Sequence, residues 1–156
     1  SIPNKSMYQM NKNEFLIAFF LSTASLGAQA APEFLPLDID KMRAMDLESI
    51  PPFTAEMVLE GESENWESIL HQGDFGVSIY EAVPAVIEIS DPFPYDEFVL
   101  ILEGEVTLTN IDGGTQTYKP GDTFLVPKGW LGTWDMPVKY RDMIIIETDA
   151  LLAAEY

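Results

Sequence analysis

Two carboxylates stand side by side at Asp96 and Glu97, immediately before the apolar run FVLIL at 98–102. A carboxylate carried into an apolar interior is costly unless it is paired, protonated or used. Side chains of an extended chain alternate between faces, so Glu97 shares a face with Val99 and Ile101 and points inward. Asp96 then points the other way, to solvent. Glu97 is the candidate for chemistry: a ligand-binding carboxylate, or a general acid or base whose pKa is raised by loss of water. The competing reading is a structural carboxyl satisfied by a buried partner such as Tyr80, Tyr95 or Thr133.

Other chemistries are poorly supplied. The chain has no cysteine, which excludes disulfides, thiolate metal sites and cysteine nucleophiles. Its single histidine, His71, rules out multi-histidine metal sites and reads as a loop or edge residue. There is no G-x-S-x-G, and the glycines of NIDGGT at 110–115 mark a hairpin turn rather than a phosphate-cradling loop. Lys128, in the PKG turn, could draw an anionic ligand to the rim or simply be solvated.

The elements that must position Glu97 are strands. FTAEMVLEG, FGVSIYEA, AVIEIS, EFVLILEG, EVTLTN, TQTYKPG, TFLVPKG and KYRDMIIIET are strand-like and bounded by Gly, Pro, Asp or Asn. About eight short strands with almost no helix imply a closed all-β barrel or sandwich. A short helix is expected around 41–48, before Pro51-Pro52, and another in the tail DALLAAEY. With 156 residues and no internal repeat, one domain is expected.

Composition narrows the partners. Apolar residues make up 47% of the chain, so it is globular. There are 26 acids and 8 bases, for a net charge of −18, which repels nucleic acid and anionic membranes. From Met10, a short polar stretch with Lys12, an apolar core from Phe15 to Leu26 and Ala28-Gln29-Ala30 form the three-part layout of a secretory signal. The expectation is a leader over 1–30, an arm over 31–53 and the main domain over 54–156, with periplasmic or secreted location. A retained amino-terminal helix with cytoplasmic location is the competing reading. Cleavage after Ala30 removes Lys5, Lys12 and Glu14, taking 26 acids to 25 and 8 bases to 6, or −19.

Two blocks resemble the paired signatures of the cupin superfamily, small jelly-roll β-barrels of RmlC-like type. In DPFPYDEFVLILEG, Glu97 and Gly104 hold the glutamate and glycine positions, while Asp91 and Phe93 stand at the two histidine positions. In GDTFLVPKGWLG, Gly121, Pro127 and Gly129 are in register and Gly132 stands at the histidine position. The resemblance covers roughly 60–147 and is nearest to the branch of ethanolamine-utilisation and (S)-ureidoglycine aminohydrolase-like cupins. It implies a barrel cavity, but the metal ligands of cupin enzymes reduce here to Glu97, with Asp91 as a second oxygen for at most a weak cation. Trp130 and Trp134 flank the vacated position. Trp134 is expected to line the cavity, in room left by Gly132, or simply to pack the core.

The resulting expectation is a metal-free, cofactor-free cupin, homodimeric, binding a small polar molecule among Tyr80, Asp91, Phe93, Tyr95, Glu97, Lys128, Trp130 and Trp134. The alternatives are an aminohydrolase, lyase or isomerase using Glu97 as acid/base, and a structural or partner-binding cupin with a filled cavity.

Overall fold

The computed structural model describes residues 30–153. The expected leader falls on residues 1–29, outside the described residues, as does the tail end at 154–156. A compact unit begins at Pro36. Its elements in order are α1 (Ile39–Ala44), β1 (Glu48–Ile50), β2 (Val58–Gly61), β3 (Asn65–Gln72), β4 (Phe75–Ala82), β5 (Ala85–Ile89), β6 (Glu97–Glu103), β7 (Val106–Asn110), β8 (Thr115–Tyr118), β9 (Thr123–Val126), β10 (Gly132–Met136), β11 (Tyr140–Glu147) and α2 (Thr148–Ala153).

The strands pair into a six-stranded sheet of order β1-β3-β4-β11-β6-β9 and a five-stranded sheet of order β2-β5-β10-β7-β8. Every pairing is antiparallel. This is the expected all-β, cupin-type jelly roll with short helices near both ends of the described chain. The hairpin at 110–115 closes as expected: Gly113 adopts φ 91°, and the Asn110 amide donates to the Gly114 carbonyl at 2.7 Å.

Eleven strands form, where the pattern suggested about eight. The extra ones are β1, β3 and β10. Inward polar residues, Asn65 and Glu67 on β3, break the alternation that marks a strand, and β10 is short and opens on glycine. The first helix also sits earlier than the expected 41–48. Asp38 caps it by accepting from the Lys41 amide at 2.9 Å, and Met45 is already extended. The chain then turns into β1, which pairs with β3.

Two apolar layers follow from strand alternation. One, between the sheets, contains Ala82, Ile87, Val99, Ile101, Val106, Val126, Met136, Tyr140 and Ile144. The other lies on the opposite face of the six-stranded sheet, where Val77, Ile79, Leu102 and Met143 pack against Met42 of α1. A six-residue helix cannot persist alone. Burial of Met42 contributes about 1.5–3 kcal/mol. Arg141 adds hydrogen bonds from one guanidinium nitrogen to the carbonyls of Met42, Arg43 and Met45, at 3.0, 2.9 and 2.9 Å. Those carbonyls, at and just past the helix end, have no partner within the helix.

Candidate functional site

A cavity of about 110 Å³ opens between the sheets. Its wall combines Phe53, Ile87, Ile89, Trp134, Met136 and Ile144 with Tyr80, Phe93, Tyr95, Glu97 and Asp142. The wall is mainly carbon, and none of the lining residues is basic. A site of this kind takes an apolar body and fixes one or two polar groups.

Alternation places the acids. Glu97 opens β6 with its side chain on the inner face, in line with Val99 and Ile101, and is 8% exposed. Asp142 lies on the neighbouring strand, in register with Ile101 and Tyr80, and is 1% exposed. Its Oδ2 accepts the Tyr140 hydroxyl at 2.5 Å, whereas its Oδ1 is buried without a hydrogen-bond partner. Glu67 of β3, in register with Tyr80, is also buried and acts electrostatically on both acids.

Loss of water dominates the electrostatics. Burial, then the charges of Asp142 and Glu67, push Glu97 from 4.5 up to about 8. Asp142 is pushed by burial from 3.8 up to about 7, even though the Tyr140 hydrogen bond favours its charged form. The phenols of Tyr80, Tyr95 and Tyr140 are also raised, by burial first and by the neighbouring acids second. Near neutral pH the protonated form of Glu97 is therefore favoured.

The other half of the opening dyad behaves as expected. Asp96 is exposed, and its Oδ1 accepts the Lys128 backbone amide at 2.8 Å. The three partners expected for Glu97 do not serve it. Tyr80 donates its hydroxyl to Asn65 Oδ1 at 2.8 Å, and Thr133 lies on the face of β10 opposite to Trp134. Tyr95 lines the cavity and packs edge-on against Phe93, with centroids 5.2 Å apart. Burial and the charges of Asp142 and Glu67, with no hydrogen bond among the causes, set the state of the Glu97 carboxyl.

The structure thus brings together Tyr80, Phe93, Tyr95, Glu97 and Trp134. It leaves three expected site residues outside the cavity wall. Asp91 is exposed in the loop before β6, and Lys128 is exposed in its turn. Trp130 donates from Nε1 to Asn110 Oδ1 at 2.7 Å and faces a separate depression beside Leu125 and Pro127. His71 is exposed, as expected. The glycine at the third histidine position is explained differently from expectation. A Cβ at Gly132 would lie 2.1 Å from the Thr109 carbonyl oxygen and 2.6 Å from the Trp130 indole. Backbone and Trp130, not Trp134, occupy the space a side chain would need.

Sequence reasoning missed Asp142 and Glu67. Asp142 had a signal: it shares strand parity with Tyr140 and Ile144 in an otherwise apolar run. Glu67 was hidden because β3 was not read as a strand.

The residues do not fit a cupin metal centre. Asp91 is apart from Glu97, Phe93 and Gly132 offer no ligand atom, and among the described residues no three acidic or histidine side chains converge on a metal position.

Residues 72–141 match the EutQ-like cupin domain, a stretch that includes Glu97 and ends one residue before Asp142. No curated protein sequence matches the chain. A DUF861-family protein of unknown function from Pseudomonas syringae pv. tomato superposes with a TM-score of 0.61 at 20% identity, over 67% of this chain and 45% of that one. This chain therefore spans under half the length of that relative. A cupin-like protein from Thermotoga maritima superposes with a TM-score of 0.51 at 13% identity, covering 71% and 84% of the two chains. The polyketide cyclase RemF from Streptomyces resistomycificus gives 0.51 at 15%, covering 74% and 80%. At these identities the likeness concerns the fold. The matched stretch and the fold together support the cupin superfamily, a small-molecule-binding architecture.

Proposed function

We propose that this chain is a small-molecule-binding cupin whose ligand occupies the barrel cavity beside Glu97 and Asp142, without a transition metal. The observation that carries this reading is the Asp142 carboxyl, whose Oδ1 is buried on the cavity wall beside Glu97 without a hydrogen-bond partner among the described residues. A buried polar group left in that state costs about 1–3 kcal/mol, which a ligand atom would recover on binding. The open cavity argues against a barrel filled by its own side chains.

A fragment screen by ligand-observed NMR tests the reading. Fragments should bind the native chain and be lost in Ile89→Trp, which fills the cavity from a half-buried wall position, provided the variant keeps its circular dichroism. An empty screen, or hits unchanged in that variant, would reject it. Elemental analysis after dialysis should find far less than one Mn, Fe, Ni or Zn per chain. A value near one would refute the metal-free part.

A second reading is favoured by the position of Glu97 near pH 8, which suits a general acid at physiological pH. In it the protein is an aminohydrolase, lyase or isomerase, and turnover abolished by Glu97→Gln would be its signature. Export is proposed from the leader-like sequence at 10–30, and periplasmic recovery of a chain beginning at residue 31 would test it. A homodimer is the proposed assembly, to be tested by sedimentation.

A further inference from the structure

We infer that the occupant of the cavity is a small organic cation, an alkylammonium or quaternary ammonium, held by the Glu97 carboxylate against aromatic walls. This rests on the small-molecule reading above and adds the charge, shape and size of the ligand.

Charge is the first argument. The acids acting on the site come from three strands: Glu67 from β3, Glu97 from β6 and Asp142 from β11. The phenols of Tyr80 on β4, Tyr95 before β6 and Tyr140 on β11 complete the titratable surroundings. Each acid raises its neighbours, and no lining residue carries a positive charge. The nearby bases are engaged on the other face: Arg141 holds Glu81 at 2.6 Å, and Lys139 reaches the same carboxylate at 3.3 Å. An anion would add to the repulsion inside the cavity, and a neutral ligand would leave it unchanged. A cation reverses it.

The walls select among cations. Phe53, Tyr80, Phe93, Tyr95 and Trp134 surround the space with rings, whose faces attract an ammonium group within about 6 Å. A metal ion would gain little from those rings and needs four or more converging ligand atoms. Among the described residues no such convergence exists. An ammonium needs only one or two carboxylate oxygens and a dry aromatic surround.

Size follows from volume. A cavity of about 110 Å³ holds at most roughly seven to eleven waters, at about 10–15 Å³ of such volume each. The ligand is smaller than that upper bound, on the order of four to eight non-hydrogen atoms. The net charge of −18 concentrates small cations around the protein before they enter.

Binding must then be linked to protons. Below about pH 8 Glu97 carries a proton, which an arriving ammonium sends to solvent. Affinity rises with pH until Glu97 is ionised in the free protein, with up to one proton released per cation bound.

Titration calorimetry with the native chain tests this, using propylammonium against 1-propanol and butyrate, and tetramethylammonium against tert-butanol. Each ammonium should bind about tenfold or more tightly than its alcohol at pH 8.5. It should weaken by about tenfold or more at pH 6.5, with a heat that depends on buffer ionisation. Butyrate should not bind. Glu97→Gln, provided it keeps its circular dichroism, should erase both the ammonium preference and its pH dependence. The inference is overturned if an alcohol or butyrate binds as tightly as the ammonium, if no ammonium binds, or if Glu97→Gln keeps the preference. None of those results touches the small-molecule reading, which falls on an empty fragment screen.

Discussion

The side chains of Arg141 and Asp142 leave one strand in opposite directions, and both end almost fully buried. On the outer face the guanidinium is completely engaged. It holds Glu81 through two nitrogens, at 2.7 and 2.6 Å, and three carbonyls around the end of α1 through the third. On the inner face Asp142 has one donor, Tyr140, and an Oδ1 with none. Burial is nearly the same in the two places; satisfaction is not. A fully satisfied charge fixes architecture, here the seat of α1. An acid with an open valence beside a cavity, as at Asp142, fits the ligand site proposed above.

The comparison breaks most visibly if Arg141 is removed. Arg141→Met keeps much of the side-chain volume but leaves the half-buried Glu81 with Lys139 alone and three carbonyls without their donor. Denaturant unfolding should show a loss of about 3–5 kcal/mol. A loss under about 1 kcal/mol would mean that the outer cluster does not hold the fold.

Glu97→Gln should act in the opposite sense. In the native chain, folding raises Glu97 from 4.5 to about 8, so the folded state holds its proton more tightly. Both states are protonated below the unfolded value, and the group then contributes nothing to the pH dependence. As pH climbs from about 4.5 to about 8 the unfolded state ionises first and stability falls. Glutamine lacks that titration. The variant should match the native chain near pH 4 and exceed it at pH 9 by on the order of 2–4 kcal/mol, read from paired unfolding curves. Destabilisation at pH 9 would show that Glu97 belongs to a satisfied network like that of Arg141.

Tyr140→Phe sharpens the same contrast at Asp142. It removes the one hydrogen bond that favours the ionised carboxyl, so Asp142 should rise further above about 7. Stability should drop by about 1–2 kcal/mol, more at pH 8 than at pH 5, because hydrogen bonds to a charged group are the stronger ones. An equal loss at both values would mean that Asp142 stays protonated throughout. Lys128→Ala should do least. Its side chain is exposed and its structural contact is through the backbone amide, so a change beyond about 0.5 kcal/mol is not expected.

Sequence alone determined a good part of this. Alternation along EFVLILEG put Glu97 inside and Asp96 outside, because a pleated strand has only two faces. Glycine and proline punctuation located most strands, and the spacing from Glu97 to Gly104 and from Gly121 to Gly129 pointed to the barrel. What the sequence could not reveal was which side chains from different strands share one space. Asp91 is six residues from Glu97 and Trp130 two from Gly132, yet neither lines the cavity. Asp142 stands 45 positions beyond Glu97 and does. Register between neighbouring strands settles that, and register is set by packing of the two sheets and by turns, not by distance along the chain. The surroundings of Glu97 are likewise a tertiary property. Its expected partners are all present in the sequence, but Tyr80 is claimed by Asn65 and Thr133 faces away. The proposed role of Glu97 rests on that arrangement: the surrounding fold directs its expected partners elsewhere.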